Sequence, residues 1–289
     1  MKRHQPLIIT IFLFMFGACS EDSGTQGNQP DGPPSETINE SEKIPTEAPQ
    51  APVCNAVKGD GCVDLGKHHV TRGEYTPAGA AFKTACDLSI AEACGEYGKL
   101  LAQGFLGTAD ANRALDHYLI GCSGGHLASC TFAGRLVSSD HLGAADGVAA
   151  LAYYQQACPT AQEKPDALGC ELLGLSLMRG EGKVVDFSGA KAALEHACKG
   201  GQADGCHHLG TLYGDGLGVE QDRVKALELH TNACEAGSVE ACATAGVIHH
   251  RGIGVDKDSQ KALPLLKKGC LGGNKIACKT EQEITSPEK

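Results

Sequence analysis

Apolar positions along residues 206–237 fall at helical spacing in two successive blocks. Cys206, Leu209, Leu212 and Tyr213 form the first, and Val224, Ala226, Leu227 and Ala233 the second. Gly214-Asp215-Gly216-Leu217-Gly218 lies between them as a turn. Asp222 stands where an N-cap belongs and Gly237 where a C-terminal cap belongs. The pattern predicts a helix–turn–helix unit, with a first helix A and a second helix B.

This unit recurs along the chain, marked by seven cysteine pairs. They are Cys54 with Cys62, Cys86 with Cys94, Cys122 with Cys130, Cys158 with Cys170, Cys198 with Cys206, Cys234 with Cys242, and Cys270 with Cys278. The first members of pairs two to seven step by 36, 36, 40, 36 and 36 residues. A fixed period of this size is the mark of a solenoid or array. Four residues after the second cysteine stands a glycine: Gly66, Gly98, Gly134, Gly174, Gly210 and Gly246, with Gln282 breaking the rule in the seventh unit. Glycine inside a helix costs about 1 kcal/mol relative to alanine. Its recurrence therefore predicts a close approach of helix A to a neighbouring helix. With 38 glycines, 4% aromatics and no tryptophan, the composition suits thin, tightly stacked helices better than one bulky core.

The cysteine spacing constrains the chain path. Residues eight apart on a straight helix are ~12 Å apart, whereas a disulfide needs Cα atoms within ~4.4–6.8 Å. The chain must reverse inside each pair, and Gly124-Gly125, Gly200-Gly201 and Gly272-Gly273 lie where it would do so. Each bridge is expected to join the end of a helix B to the start of the next helix A. Pro159 and Pro165 fall in the longer interval between Cys158 and Cys170, which should bulge at the surface. Metal ligation is the rival reading; no C-x-x-C occurs, and even pairing behind a leader favours disulfides.

The N-terminus reads differently. Lys2 and Arg3 precede an apolar run from Leu7 to Phe16, too short to span a bilayer. Phe16-Gly17-Ala18-Cys19 resembles a bacterial lipobox, which implies cleavage before Cys19 and its lipidation. Plain secretion with cleavage nearby is the alternative. Assigning Cys19 to lipid leaves an even 14 of the 15 cysteines. Residues 20–52 carry six prolines and seven acidic residues against Lys43 alone, and read as a disordered tether. The expected organisation is a signal peptide over 1–18, a lipidated tether over 19–52 and a repeat solenoid over 53–289. The bacterial cell envelope follows as the location, periplasmic or surface-exposed, or secretion without lipid. Ser20 after the lipid cysteine leans towards an outer membrane.

Net charge is −10, and −12 without Lys2 and Arg3; −6 of that lies in residues 20–52 and −6 on residues 53–289. No basic stripe stands out, which argues against nucleic acid as a partner.

The Leu-Gly pairs at 65–66, 173–174 and 209–210, the turns Gly216-Leu217-Gly218-Val219 and Gly252-Ile253-Gly254-Val255, and the steps Lys225-Ala226 and Lys261-Ala262 resemble the Sel-one-like repeat family, relatives of tetratricopeptide repeats. The resemblance covers roughly residues 54–284, and the eight-residue cysteine spacing is similar to that of the Helicobacter cysteine-rich protein subfamily. Residues 126–165 depart most, with Ser138-Ser139-Asp140 in place of the glycine turn. The first unit also lacks the Gly-x-Gly turn. The resemblance implies an all-α, right-handed α/α solenoid of disulfide-stapled repeats of about 36 residues. About six repeats are expected, with a polar capping helix from about Ala277. It also implies a protein-binding scaffold, with penicillin binding or β-lactam hydrolysis as the alternative and haem binding third.

Candidate chemistry is sparse. Ser188-Gly189-Ala190-Lys191 fits S-x-x-K, the pattern of a serine β-lactamase nucleophile and its lysine. Yet Ser188 falls where a helix B begins, as a capping residue would, and Lys191-Ala192 matches the repeat's own Lys-Ala step. No S-D-N or K-T-G partner motif occurs. Three adjacent histidine pairs, His68-His69, His207-His208 and His249-His250, read as solvated helix residues. C-x-x-C-H, the haem attachment motif, is absent. The residues therefore call for no cofactor or metal. They favour a membrane-anchored scaffold that holds a protein or peptide on a concave face lined by helices A.

Overall fold

The computed structural model describes residues 53–286 apart from 60 and 160–163. The leader, the lipobox cysteine Cys19 and the tether lie outside these residues, as does the tip of the loop between Cys158 and Cys170. Among the described residues, no helix is long and apolar enough to cross a membrane.

Six helix pairs follow one another, closed by a single further helix. The A helices are α1 (Cys62–Thr71), α3 (Ala91–Ala102), α5 (Leu127–Val137), α7 (Ala167–Arg179), α9 (Ala203–Asp215) and α11 (Val239–Arg251). Their B partners are α2 (Tyr75–Asp87), α4 (Ala111–Ser123), α6 (Gly147–Ala157), α8 (Phe187–Lys199), α10 (Arg223–Glu235) and α12 (Ser259–Leu271). The closing helix α13 (Lys275–Thr285) covers the last pair and begins slightly ahead of the expected cap. Each A helix packs on its own B helix, and each B helix on the next A helix. The all-α solenoid expected from the periodicity is the architecture found.

Local chemistry explains where helices start and stop. Asp110, Asp146, Asp186, Asp222 and Asp258 each precede a B helix, and each carboxylate accepts a hydrogen bond from a first-turn backbone N–H. Such a cap satisfies donors that the helix itself cannot pair. In the A-to-B turn, Gly216 and Gly218 both have φ near +69°, a conformation that a side chain would strain. The irregular third pair replaces that turn with a 3-10 turn over Asp140–Leu142.

All seven cysteine pairs are bridged, with Cα–Cα distances from 4.2 to 4.8 Å. Cys54 joins Cys62, Cys86 joins Cys94, Cys122 joins Cys130, and Cys158 joins Cys170. Cys198 joins Cys206, Cys234 joins Cys242, and Cys270 joins Cys278. The first bridge differs from the rest, because Cys54 precedes α1 and has no B helix before it. In the other six, the first cysteine sits at the end of a B helix. Its partner (Cys94, Cys130, Cys170, Cys206, Cys242 or Cys278) lies in the first turn of the following A helix. Cys94, Cys130 and Cys170 are buried there, while Cys278 on the closing helix is only partly covered. The chain reverses within three of these pairs with the second glycine of a Gly-Gly step at positive φ (Gly125 +89°, Gly201 +87°, Gly273 +92°).

The recurrent glycines of helix A are sockets. Each faces a side chain on its own B helix four residues before that helix's cysteine: Phe82, Tyr118, Tyr154, Leu194, His230 or Leu266. A Cβ on Gly98 would lie 2.9 Å from the Tyr118 ring, and one on Gly174 would lie 2.5 Å from Leu194 Cγ. Real carbon contacts do not come that close. Alanines four positions earlier on the B helices (Ala78, Ala114, Ala150, Ala190, Ala226, Ala262) are fully or almost fully buried. Small residues on both partners thus let the backbones approach, and the core runs as a string of small clusters along the array.

Candidate functional site

From α3 onwards, successive A helices touch one another as well as their B partners, and α13 continues the row against α11. Two broad hollows among the described residues lie against this row, the second of them bounded also by the start of α4.

The larger hollow, about 820 Å³, runs over α9, α11 and α13. Val247, Ile248 and Ile276 give it an apolar floor, with Arg251 and Lys279 set against Glu240 and Glu283 at its margins. Ile276 keeps 64% of its surface exposed, although it lies in the first turn of α13. A second hollow of about 660 Å³ lies over α3 and α5, beside the 3-10 turn. There the Lys99 ammonium stands 5.4 Å from the Phe132 ring centre, with Arg135 and His141 alongside. Lys99 also pairs with Glu96 at 3.0 Å. Both hollows combine apolar floor with mixed charge, as expected of surfaces that hold a peptide or a protein edge.

Ser188 and Lys191 lie in the first two turns of α8. Asp186, not Ser188, caps this helix: its carboxylate accepts from the Gly189 N–H at 2.9 Å. Ser188 is exposed, and Lys191 forms an ion pair with Glu195 at 3.0 Å. That hydrogen bond holds the lysine pKa above its ordinary value. A lysine serving as base to a serine needs the opposite shift.

The histidines depart from the solvated reading at His207 and His208, and at His249 and His250, whose Nδ1 atoms are buried without a hydrogen-bond partner. His207 on α9 is half-buried, and its Nδ1 lies 3.1 Å from Nδ1 of His230 on α10. The rings are 4.8 Å apart and tilted by 49°. His230 is only 3% exposed, because it fills the socket over Gly210. Burial pushes His207 down to about 4 and His230 down to about 3, with each positive neighbour adding to the effect. His208, on the next face of α9, does not join this contact with His230; its ring centre stands 5.1 Å from that of His207. At the other pairs, His69 Nδ1 meets Glu74 at 2.7 Å, and His249 and His250 are partly buried near the end of α11. Adjacency in sequence drew attention to the pairs, while the contact that matters crosses between two helices. The signal was present in the column of socket residues, where His230 is the one strongly polar member among Phe82, Tyr118, Tyr154, Leu194 and Leu266.

The Sel1 repeat model matches residues 91–126, 138–158, 203–238 and 239–274. Those four segments are Sel1 repeats. No curated protein matches it. A protective antigen of uropathogenic Escherichia coli with an SLR fold superposes with a TM-score of 0.68 at 20% identity, over 80% of this chain and 50% of that one. This array therefore spans about half the length of the antigen. A Sel1 repeat protein from Oxalobacter formigenes superposes with a TM-score of 0.68 at 21% identity, covering 77% of this chain and 89% of that one. The cysteine rich protein B of Helicobacter pylori is 27% identical over 49% of this chain and 99% of its own, with a TM-score of 0.38. Sel1 arrays generally mediate contacts between proteins. The density of disulfides in this one fits an oxidising compartment outside the cytoplasm.

Proposed function

We propose that this Sel1 array is an extracytoplasmic scaffold that holds a protein or peptide partner against its A-helix row, and that lipid on Cys19 ties it to the cell envelope. The observation that carries the reading is the hollow over α9, α11 and α13, with its apolar floor and exposed Ile276. Stacked helix pairs create extended surfaces of this kind, and the inner row of a curved stack presents several helices to one ligand. The charge at the margins, Arg251 and Lys279 with Glu240 and Glu283, suits a polar rim around an apolar anchor.

Site-specific cross-linking in the native envelope tests this. A photoreactive residue at Ile276 or Val247, on the A row, is compared with one at Val224, which is 64% exposed on the B helix α10. Discrete, saturable adducts confined to the A-row positions are the expected result. Equal yields from the two rows would sink the reading. The anchor is tested separately by Cys19→Ala, which should release the chain from the membrane fraction without altering the folded array.

A further inference from the structure

The fifth repeat carries a feature that protein binding does not require. Its socket residue is His230, and the residue after its A-helix cysteine is His207. In the other repeats the position after that cysteine reads Val63, Gly95, Thr131, Glu171 and Ala243, with Lys279 in the closing helix. Only the fifth repeat places histidine at both positions, and the fold brings the two together across α9 and α10.

Their spacing matches that of a shared ligand edge. With metal–nitrogen bonds of about 2.0–2.1 Å, two imidazole nitrogens on one tetrahedral ion lie about 3.3 Å apart. The two Nδ1 atoms lie 3.1 Å apart. As they stand, one ring donates its Nδ1–H to the other. Moving that proton to Nε2 of the same ring frees both Nδ1 lone pairs with no net release of protons. Imidazole nitrogens suit ions of intermediate softness.

We propose that His207 Nδ1 and His230 Nδ1 form a two-imidazole site for a divalent transition metal of the Zn²⁺ class, reached through His207 from the groove over α9, α11 and α13. His207 and Glu240 line that groove together. Among the described residues, no three His, Cys, Asp or Glu side chains are grouped to hold an ion. The protein thus supplies two ligands directly, and water, a reoriented Glu240 carboxylate or a group on the bound partner completes the set. An open position of this kind separates a site that binds a ligand from a closed structural one.

The test is Zn²⁺ titration by calorimetry on the full-length processed chain with its bridges intact, with Co²⁺ as a visible-absorption probe. His230→Leu is the sharp variant, since Leu194 and Leu266 fill the same socket in the fourth and sixth repeats. His207→Ala, at a half-buried position, serves if the first variant does not fold. His249→Ala is the control. The expected result is one ion per chain, a tetrahedral or five-coordinate Co²⁺ spectrum, and at least tenfold weaker binding in both site variants with the control unchanged. The proposal is overturned by no binding at millimolar Zn²⁺, by unchanged affinity in His230→Leu or His207→Ala, or by loss in the control alone.

Discussion

At the scale of single residues, a socket glycine and the side chain it admits set the distance between the two helices of a repeat. Two glycines on A helices make a contrast. A Cβ on Gly174 would meet Leu194 Cγ at 2.5 Å, while one on Gly214, also in helical backbone, would find only the Ala226 methyl at 3.4 Å. Gly174→Ala should therefore overpack the fourth repeat and destabilise it by about 1–3 kcal/mol. Gly214→Ala should stabilise α9 by up to about 1 kcal/mol through helix propensity. Paired thermal melts check both signs, and a gain at Gly174 would show that the socket is not tight. The periodic glycine was legible in the sequence because its cost needs a shared reason. The residue it admits was not, because apolar periodicity scores Phe, Tyr and Leu alike and passes over His230 as an interruption.

At the scale of elements, each connection has its own fastening. The Asp caps fix where B helices begin, and the bridges fix where they end. Asp222 was readable as a cap from one unit, and the same role at Asp110, Asp146, Asp186 and Asp258 follows from the repeat. The α5–α6 connection was not readable in the same way. Ser138-Ser139-Asp140 offers no Gly-x-Gly step; the 3-10 turn ends on the single positive-φ Gly143 and is held by short-range bonds such as Ser139 Oγ to the Leu136 carbonyl at 2.7 Å. In the chain-entropy view, closing a nine-residue loop stabilises by about 2.5 kcal/mol. Replacing Cys234 and Cys242 together by alanine removes one such closure between the fifth and sixth repeats. The expected loss is about 2–3 kcal/mol, seen in a denaturant melt as an earlier transition of the C-terminal repeats. An unshifted melt would mean that the helix contacts hold this junction unaided.

At the scale of the whole molecule, repeats contact only their neighbours, so a local perturbation should stay local. The buried histidines provide one that can be applied by pH. His230 and His207 are held near 3 and 4 in the fold, against an ordinary value of 6.5. The unfolded chain therefore binds protons that the folded chain refuses, and stability rises with pH through this window. The contribution is complete above about pH 6.5 and falls away as pH drops towards the folded values. From His230 alone, the loss by about pH 4 is on the order of 3 kcal/mol. The charges around the pair are His208 and Asp204 on α9 and Glu240 on α11. The carboxylates favour the protonated form and His208 opposes it, but burial outweighs them. Hydrogen exchange followed from pH 7 to about pH 4.5 should show α9 and α10 opening first, while α3 and α4 stay protected. His230→Leu should abolish most of that difference. Uniform acceleration along the array would instead mean that the bridges couple the repeats into one cooperative unit, and the fifth repeat would then govern the acid stability of the whole chain.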